Sequence, residues 1–419
     1  KGVYVHGELP QTNPRTLGKI TPEMKRIEAH FPFHTTHALN WIQYKNSSST
    51  HIDTIKINDG IGDSRITPME GLAKIYRRIS WDKNAISLLE YGDPHGNPIL
   101  RNTLSEYLNE TRGLGITPKN ILITRGSQMG IYLSSKLLVR PGDPIVVGQT
   151  NYIAANLSFK AQGAQLVPVR VDQEGLNIDD IASICKKDRI KAVYITPHHH
   201  HPTTVTLSAE RRLHLLNLAQ QYRFAIIEDN YDYDFNYDHA PFLPLASHDV
   251  QGNVIYIGSV CKTVAPAYRV GYLVGPENFV REAATLRRYI DRQGDPLLEQ
   301  AIAEFIANGD LDRHIRKVSK VYGKRRDFFC KLMQQELSEF FQFRVPSGGM
   351  AVWTILNPRF RWSELAKAAK PHRIEIGAWR RYDPFEIGHN GIRIGFASHN
   401  EPEISMLVER LKRTLLDVL

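Results

Sequence analysis

Short apolar runs alternate with amphipathic segments through the middle of this sequence, and this alternation restricts the folds open to the chain. Six runs have the character of strands: residues 120–124, 143–147, 165–169, 190–195, 224–227 and 254–257. Helices are predicted at residues 100–109, 128–138 and 213–222. Strands that are apolar on both faces have to be covered on both faces. The pattern therefore predicts an α/β fold in which a mostly parallel sheet lies between two layers of helices, a three-layer αβα arrangement.

The character of the sequence changes twice, and each change indicates a boundary. Residues 1–50 are irregular, with four prolines and a polar run at 46–50, so we expect an arm or linker there. Residues 51–295 are expected to form the large α/β domain. After residue 295 the sequence predicts helices at 297–308 and 401–419 and strands at 341–345 and 350–355. Residues 296–419 are therefore expected to form a smaller α+β domain.

Composition excludes several classes of protein. Lysine and arginine outnumber aspartate and glutamate by 53 to 44, and much of the excess lies in a predicted amphipathic helix at 313–326. Its basic face is either solvated or binds a partner. No apolar run approaches the ~18 residues that cross a bilayer, and the first residues lack an apolar signal core. We therefore expect a cytoplasmic protein with no membrane partner. Three widely spaced cysteines predict neither a disulfide framework nor a zinc site.

In an α/β sheet, ligands bind at the carboxyl ends of the strands, so the residues that follow each strand are the candidates for a site. The strand at 120–124 is followed by Arg125, Gly126, Ser127 and Gln128, where a helix begins. Free N–H groups at a helix N-terminus beside a glycine and a hydroxyl favour an anion. An ordinary N-cap would have the same appearance. The segment is not a P-loop, because no Gly-Lys-Ser/Thr follows.

Two further strand ends carry aromatic and imidazole groups. The strand at 143–147 leads to Tyr152, whose ring could stack on a planar ligand. The strand at 190–195 leads to four adjacent histidines, His198 to His201. Consecutive residues cannot all face one ion, and no matching carboxylate pattern frames them, so no metal site is predicted.

Asp229 and Lys262 follow the last two strands of the series. Asp229 lies in the sequence Glu228-Asp229-Asn230-Tyr231-Asp232, which is not a calcium loop because it lacks the required glycine. Lys262 has Ser259 three residues before it and Arg269 seven residues after it. The aspartate and the lysine are 33 residues apart, the length of one helix-and-strand crossover. We therefore expect them on different strands of one sheet.

The segment from Ser259 to Gly271 resembles the lysine segment of fold-type I pyridoxal 5'-phosphate (PLP) enzymes, the aspartate-aminotransferase-like superfamily. The resemblance extends to Tyr91-Gly92-Asp93-Pro94 and to Ile392-Arg393-Ile394-Gly395 near the C-terminus. It implies that Lys262 forms a Schiff base with PLP and that Asp229 keeps the pyridine nitrogen protonated. It also implies that Arg393 binds the α-carboxylate of an amino acid.

The same resemblance assigns further contacts to the cofactor. It places the phosphate among Gly126, Ser127, Gln128, Ser259 and Arg269, with Tyr91 contributed by the partner subunit of a homodimer. It places Tyr152 on the ring and Tyr231 at the ring oxygen. In the loop that passes over this oxygen, His201 stands where asparagine is common, and Thr204 stands where glycine is usual.

Three other segments resemble a narrower group, the aminotransferase-like domain of MocR-type regulators in the GntR family. They are Glu228 to Phe235, Thr196 to His199 and Tyr91 to Gly96. Such regulators carry an N-terminal winged helix-turn-helix and a linker before the PLP domain. Lys1 to Val5 resemble the last strand of such a wing. The resemblance implies DNA binding only through a helix-turn-helix domain that is not present in this sequence.

Three functions remain open from the sequence. The chain is either a working aminotransferase acting on an amino acid and a 2-oxo acid, or a domain that senses an amino-acid effector for a transcription regulator. A PLP-dependent lyase or decarboxylase is the remote alternative. The same residues serve the first two functions, and the sequence does not specify which amino acid binds.

Overall fold

The computed structural model of the chain describes residues 53–238, 242–260, 262–377 and 379–419. The arm predicted for residues 1–50 lies outside these described residues. The helices are α1 Met69–Trp81, α2 Pro98–Arg112, α3 Ser127–Leu138, α4 Ile153–Lys160, α5 Ile178–Cys185, α6 Ala209–Tyr222, α7 Glu277–Ile290, α8 Pro296–Ala307, α9 Asp310–Leu337, α10 Trp362–Ala368 and α11 Glu401–Leu416. Within the described ranges, no helix is both long enough and apolar enough to span a bilayer.

The strands form one large sheet and three smaller ones. They are β1 Ile55–Ile57, β2 Ile121–Thr124, β3 Pro144–Gly148, β4 Gln165–Val169, β5 Val171–Asp172, β6 Gly175–Leu176, β7 Ala192–Ile195, β8 Ala225–Asn230, β9 Val254–Ser259, β10 Gly271–Val274, β11 Phe341–Phe343, β12 Ala351–Leu356, β13 Ile374–Ile376 and β14 Gly391–Gly395. The large sheet has the order β2-β10-β9-β8-β7-β3-β4. Every neighbouring pair in it is parallel except the two that involve β10.

Helices cover both faces of the large sheet, because its strands carry apolar side chains on both. On one face, Tyr194 and Ile257 pack with residues of α3, α4 and α7. On the other face, Val193 and Ile226 pack with α5 and α6, and a neighbouring cluster joins α1, α2 and α8 to β2 and β10. The predicted three-layer αβα fold with a mostly parallel sheet is thus confirmed.

The remaining C-terminal elements surround a separate apolar cluster. An antiparallel sheet of order β11-β12-β14 packs against α9, α10 and α11. The strand β1 comes from the beginning of the described chain, yet it pairs in parallel with β13, with Ile55 opposite Ile374. Its side chains lie in the C-terminal cluster, whereas α8 packs with the large sheet. The division of the chain at residue 295 stays a prediction.

The structure of helix α9 corrects the expectation that the basic residues at 313–326 form one exposed face. Three of the basic side chains at 313–326 point inward and have polar partners. His314 contacts the carbonyl oxygen of Thr263, Arg325 binds Asp63, and Arg326 binds Asp238. The exposed part of the face is therefore narrower than predicted, and consists of Arg313, Arg316, Lys317, Lys320 and Lys324.

Candidate active site

The centre of the site lies where strands β8 and β9 run side by side. Asp229 is opposite Ile257 in this parallel pair, and Lys262 comes three residues after the end of β9. We expected Asp229 just after its strand, but β8 continues to Asn230. The strand is longer because Asp229 and Asn230 keep their pairing with β9 and remain buried.

Asp229 has two carboxylate oxygens in different surroundings. Its Oδ2 accepts a hydrogen bond of 2.8 Å from the Tyr194 hydroxyl, while its Oδ1 is buried and has no hydrogen-bond partner among the described residues. Burial raises the pKa of Asp229 to about 7, and the bond from Tyr194 opposes the shift. A buried acceptor without a donor is unfavourable, so Oδ1 is suited to a ligand N–H. Tyr194 was missed from the sequence, although a tyrosine inside a buried strand needs a polar partner.

Lys262 lies close to the segment that precedes α1. Its Nζ donates to the Gly60 carbonyl oxygen at 2.7 Å and lies 5.9 Å from the centre of the Tyr231 ring. Burial lowers the pKa of the Lys262 ammonium below its ordinary value. Asp59 opposes this shift and Arg393 adds to it. A lowered pKa favours the neutral amine, which is the form that acts as nucleophile or base.

A cradle for an anion is formed by the start of α3 and the ends of β9 and β10. Gly271, the first residue of β10, is opposite both Thr124 and Ser259. A Cβ on Gly271 would lie 2.7 Å from the carbonyl carbon of Gly126 and 3.0 Å from the carbonyl oxygen of Gly258, so the turn that begins α3 approaches the end of β9 across Gly271. Gly126 has φ of +75°, and a Cβ on it would lie 2.6 Å from Arg269 Nη2. Four of the predicted phosphate residues are therefore brought together.

Gln128 extends this cradle along α3. Its Nε2 donates to Ser158 Oγ at 3.0 Å, while its Oε1 is buried without a hydrogen-bond partner in the described chain. The guanidinium of Arg269 is held by the carbonyl of Arg125, which accepts from Nη2 at 2.8 Å. The first N–H groups of α3 have no acceptor within the helix, and they lie close to the Arg269 guanidinium. Together these groups favour the binding of a phosphate.

The four histidines of the loop each have a different polar partner. The pairs are His198 with Asn230 at 2.5 Å, His199 with Asp232 at 2.9 Å, His200 with Thr203 at 2.9 Å and His201 with Asp59 at 2.9 Å. Burial lowers the pKa of His200 to about 3. In the described chain, no group of three histidine, cysteine or acidic side chains is arranged for a metal ion.

His201 is the member of this loop that lies nearest the other predicted aromatic residues. Its ring meets Tyr152 edge-on, with centroids 5.2 Å apart, and lies 6.3 Å from the ring of Tyr231. The Tyr231 hydroxyl donates to the carbonyl oxygen of His199 at 2.9 Å. The structure thus brings Tyr152, Tyr231 and His201 together, and their contacts to a cofactor stay predictions.

Arg393 is the central residue of β14, and its side chain is buried. Its Nε donates to the Asp59 carbonyl oxygen at 3.1 Å, and its Nη1 donates to the Pro202 carbonyl oxygen at 3.4 Å. Its Nη2 is buried and has no hydrogen-bond partner among the described residues. A buried guanidinium N–H without an acceptor is suited to a carboxylate ligand.

Tyr91 differs from the other predicted site residues in its exposure. Its side chain is 78% exposed, and the Arg292 guanidinium lies 3.9 Å from the centre of its ring. In a single chain, the side chain of Tyr91 is therefore largely open to solvent. A role for this residue in the site of a second subunit stays a prediction.

The residues present fit PLP. The Asp229 Oδ1, to which no described residue donates, matches the protonated pyridine nitrogen, and Lys262 follows the neighbouring strand. The cradle of Gly126, Ser127 and Arg269 matches the phosphate in charge and in free N–H donors. A side chain at residue 126 would fill this space, which explains the need for glycine.

Comparison with known proteins agrees with this geometry. Residues 62–411 match the family model for aminotransferase class I and II. Aromatic-amino-acid aminotransferase 1 of Thermococcus litoralis is 28% identical over 368 residues, which make up 87% of this chain and 88% of that protein. The crystal structure of Pyrococcus horikoshii kynurenine aminotransferase is similar with a TM-score of 0.81 and 28% identity, over 88% of this chain and 92% of that one.

A regulator is also similar. The probable rhizopine catabolism regulatory protein MocR of Rhizobium meliloti is 27% identical over 348 residues, which cover 82% of this chain and 69% of that protein. The family model covers well over half of the sequence. The chain therefore belongs to the aminotransferase class I and II family, as a PLP-dependent aminotransferase-like domain related to those of MocR-type regulators.

Proposed function

We propose that this chain holds PLP through a Schiff base to Lys262 and transfers an amino group between an amino acid and a 2-oxo acid. The observation that carries the proposal is the buried Asp229 Oδ1, which has no hydrogen-bond partner among the described residues and lies on the strand next to the one that leads to Lys262. An amine and a carboxyl on neighbouring strands can hold opposite ends of one pyridine ring.

Bound PLP supplies an electron sink for the electron pair released when a bond at the substrate Cα breaks. The protein supplies the rest. Asp229 would accept a hydrogen bond from the N–H of the pyridinium and so keep that nitrogen protonated. Lys262, once its amine is free and neutral, takes the proton from the substrate Cα through Nζ. Its lowered pKa supports this role, because an ammonium could not accept the proton.

The other predicted residues orient the two ligands. The phosphate of bound PLP would be held by Gly126, Ser127, Gln128, Ser259 and Arg269. Tyr152 would lie against the ring, and Tyr231 and His201 would lie near its oxygen. Arg393 would bind the substrate α-carboxylate through Nη2, which has no hydrogen-bond partner within the described ranges.

We further propose a homodimer with the site at the subunit interface, where the partner subunit's Tyr91 reaches the phosphate. Exposed large side chains on this part of the chain support an interface: Trp81 is 75% exposed, Leu89 73%, Tyr91 78% and Tyr289 83%. Such apolar exposure commonly marks a protein contact. A cytoplasmic location, where amino acids, 2-oxo acids and PLP occur, belongs to the same proposal.

A second candidate function is effector sensing. It is favoured by the similarity to the MocR regulatory protein, which spans 82% of this chain. Here the same site would bind an amino acid and report its arrival without turnover. DNA would be bound only through a helix-turn-helix domain outside the sequence given.

One experiment separates the two functions. The PLP-loaded protein is mixed with single amino acids, while the visible absorption of the cofactor and the release of 2-oxo acid are followed together. Stoichiometric 2-oxo acid supports the aminotransferase. A spectral change without 2-oxo acid contradicts it and supports sensing, and a spectrum that no amino acid changes contradicts both.

A further inference from the structure

Asp59 lies beside the arginine to which the proposed function assigns the substrate carboxylate, and the sequence did not identify it. Its Oδ1 lies 3.7 Å from Arg393 Nε and accepts from the Tyr382 hydroxyl at 2.7 Å. Its Oδ2 lies 2.9 Å from His201 Nε2, and Arg381 Nη2 is 3.9 Å from Oδ1. Besides Asp229, the site thus contains a second carboxylate, that of Asp59, which lies next to Arg393.

The backbone holds Asp59 in this position. The side chain of Asn58 accepts hydrogen bonds from the N–H groups of Gly60, at 2.9 Å, and Ile61, at 3.1 Å. Asn58 is itself fixed, because its carbonyl oxygen accepts from Gly395 N at 2.8 Å. A turn closed by the preceding side chain therefore directs Asp59 toward β14.

Asp59 is also close to Lys262. The Gly60 carbonyl that accepts from Lys262 belongs to the next residue. Burial alone would raise the pKa of Asp59, but His201, Arg381 and Arg393 hold it well below its ordinary value. The carboxylate is therefore charged at neutral pH, and it offsets part of the positive charge that Arg393 and Arg381 place beside the substrate.

We propose that Asp59 sets the substrate class of this site: it disfavours amino acids with a second carboxylate and favours amino acids with a cationic side chain. The inference rests on the proposed function. A ligand with one carboxylate binds Arg393 through that carboxylate. Its amine and its side chain then lie in the electrostatic field of Asp59. A dicarboxylic ligand adds a second anion to a pocket that already contains one, whereas a cationic side chain is attracted to it.

The experiment compares L-glutamate and L-lysine as ligands of the PLP-loaded protein, by titration of the cofactor absorption. The wild-type protein should bind L-lysine more tightly than L-glutamate. In Asp59→Asn the charge is lost but the shape is kept. We expect glutamate to bind at least about tenfold more tightly and lysine several-fold more weakly, because one charge has been removed from a partly buried pocket.

The control is Tyr382→Phe, which removes a hydrogen bond to Asp59 and keeps the charge. The ratio of the two dissociation constants should stay near the wild-type value in this variant. If Tyr382→Phe shifts the ratio as much as Asp59→Asn does, Asp59 is merely structural and the inference is overturned. It is also overturned if wild-type protein binds glutamate more tightly than lysine, a result that requires no variant to fold.

The failure of this inference can be told apart from failure of the proposed function. A wild-type spectrum that responds to amino acids, with an unchanged ratio in Asp59→Asn, contradicts only the role of Asp59. A wild-type spectrum that responds to no amino acid contradicts the proposed function and this inference with it.

Discussion

Asp229 is only 3% exposed, and one of its carboxylate oxygens accepts a hydrogen bond from Tyr194 while the other has no donor in the part of the chain that the structure describes. A carboxylate in this position is destabilised in the cofactor-free protein, because burial removes its hydration and the second donor is missing. This loss of hydration is the main reason why the pKa of Asp229 is raised to about 7. The same feature would make the site complementary to a ligand that brings a positively charged N–H.

The pH dependence of stability tests this reading of Asp229. Its folded pKa, about 7, lies above its ordinary value of 3.8, so the wild-type protein loses stability as pH rises between these values. The free energy of unfolding of Asp229→Asn minus that of the wild type, both without cofactor, should therefore increase by about 2 to 3 kcal/mol from pH 5 to pH 8. Urea unfolding at both pH values measures the gain. A difference that is equal at pH 5 and pH 8 would contradict the assignment.

The sequence identified Asp229, Lys262 and Arg393 because each follows or lies in an apolar strand within a recognisable segment. It did not identify Asp59 or Tyr382. Asp59 sits in Asn58-Asp59-Gly60, which has the composition of an ordinary turn. Its proximity to Arg393 depends on the pairing of β1 with β13 and of Gly395 with Asn58, contacts that join residues more than 300 positions apart. Local patterns carry no signal for such pairing.

At the scale of elements, the junction of α3, β9 and β10 decides whether a phosphate can bind. Strand β10 was missed because it has only four residues and follows the irregular segment after Lys262. It is also the antiparallel member of the large sheet, which the expected alternation of strands and helices does not predict. Without β10, the pattern of strands and helices does not place Arg269 against Gly126, and only the family resemblance does. With β10, Gly271 brings the two segments together.

Gly126→Ala tests this junction. A Cβ there would lie 2.6 Å from Arg269 Nη2, so the guanidinium has to move out of the cradle. We expect PLP to bind at least about tenfold more weakly, since a charge-assisted contact worth about 1.5 to 3 kcal/mol is disturbed. Equilibrium titration of PLP measures the change.

The matched control is Gly142→Ala, because Gly142 has φ of +88° and nothing within 4 Å of a built Cβ. This variant should lose about 1 kcal/mol of stability from its backbone conformation alone and bind PLP as wild type does. If both variants weaken PLP binding equally, the strain of a positive φ rather than the cradle explains the effect.

At the scale of the whole molecule, we propose that the site is complete only in a dimer. Tyr91 is 78% exposed and contacts Arg292 rather than the cradle of its own chain. The resemblance that assigns Tyr91 to the phosphate of a second subunit therefore agrees with its exposure. The exposed basic residues of α9 have no role in this site, and both explanations for them stay open.

Mixing two variants, each of which is expected to lower activity, tests the shared site. In a dimer of one Lys262→Ala chain and one Tyr91→Phe chain, the site on the second chain has both an intact Lys262 and the partner subunit's Tyr91. Random exchange of subunits should restore up to about a quarter of wild-type activity, because half of the dimers are mixed and each has one intact site. Activity is measured before and after exchange. No recovery, with mixed dimers demonstrated, would place Tyr91 outside the partner's site.

The central claim is that Lys262 carries the cofactor, and one measurement tests it most directly. The protein is incubated with PLP, reduced with borohydride, digested and analysed by mass spectrometry. We predict that the mass of the reduced cofactor is found on the peptide that contains Lys262, that it is lost in Lys262→Ala, and that it is kept in Lys317→Ala, which changes an exposed lysine of α9. A reduced adduct on another lysine, or one that persists in Lys262→Ala, would contradict the assignment.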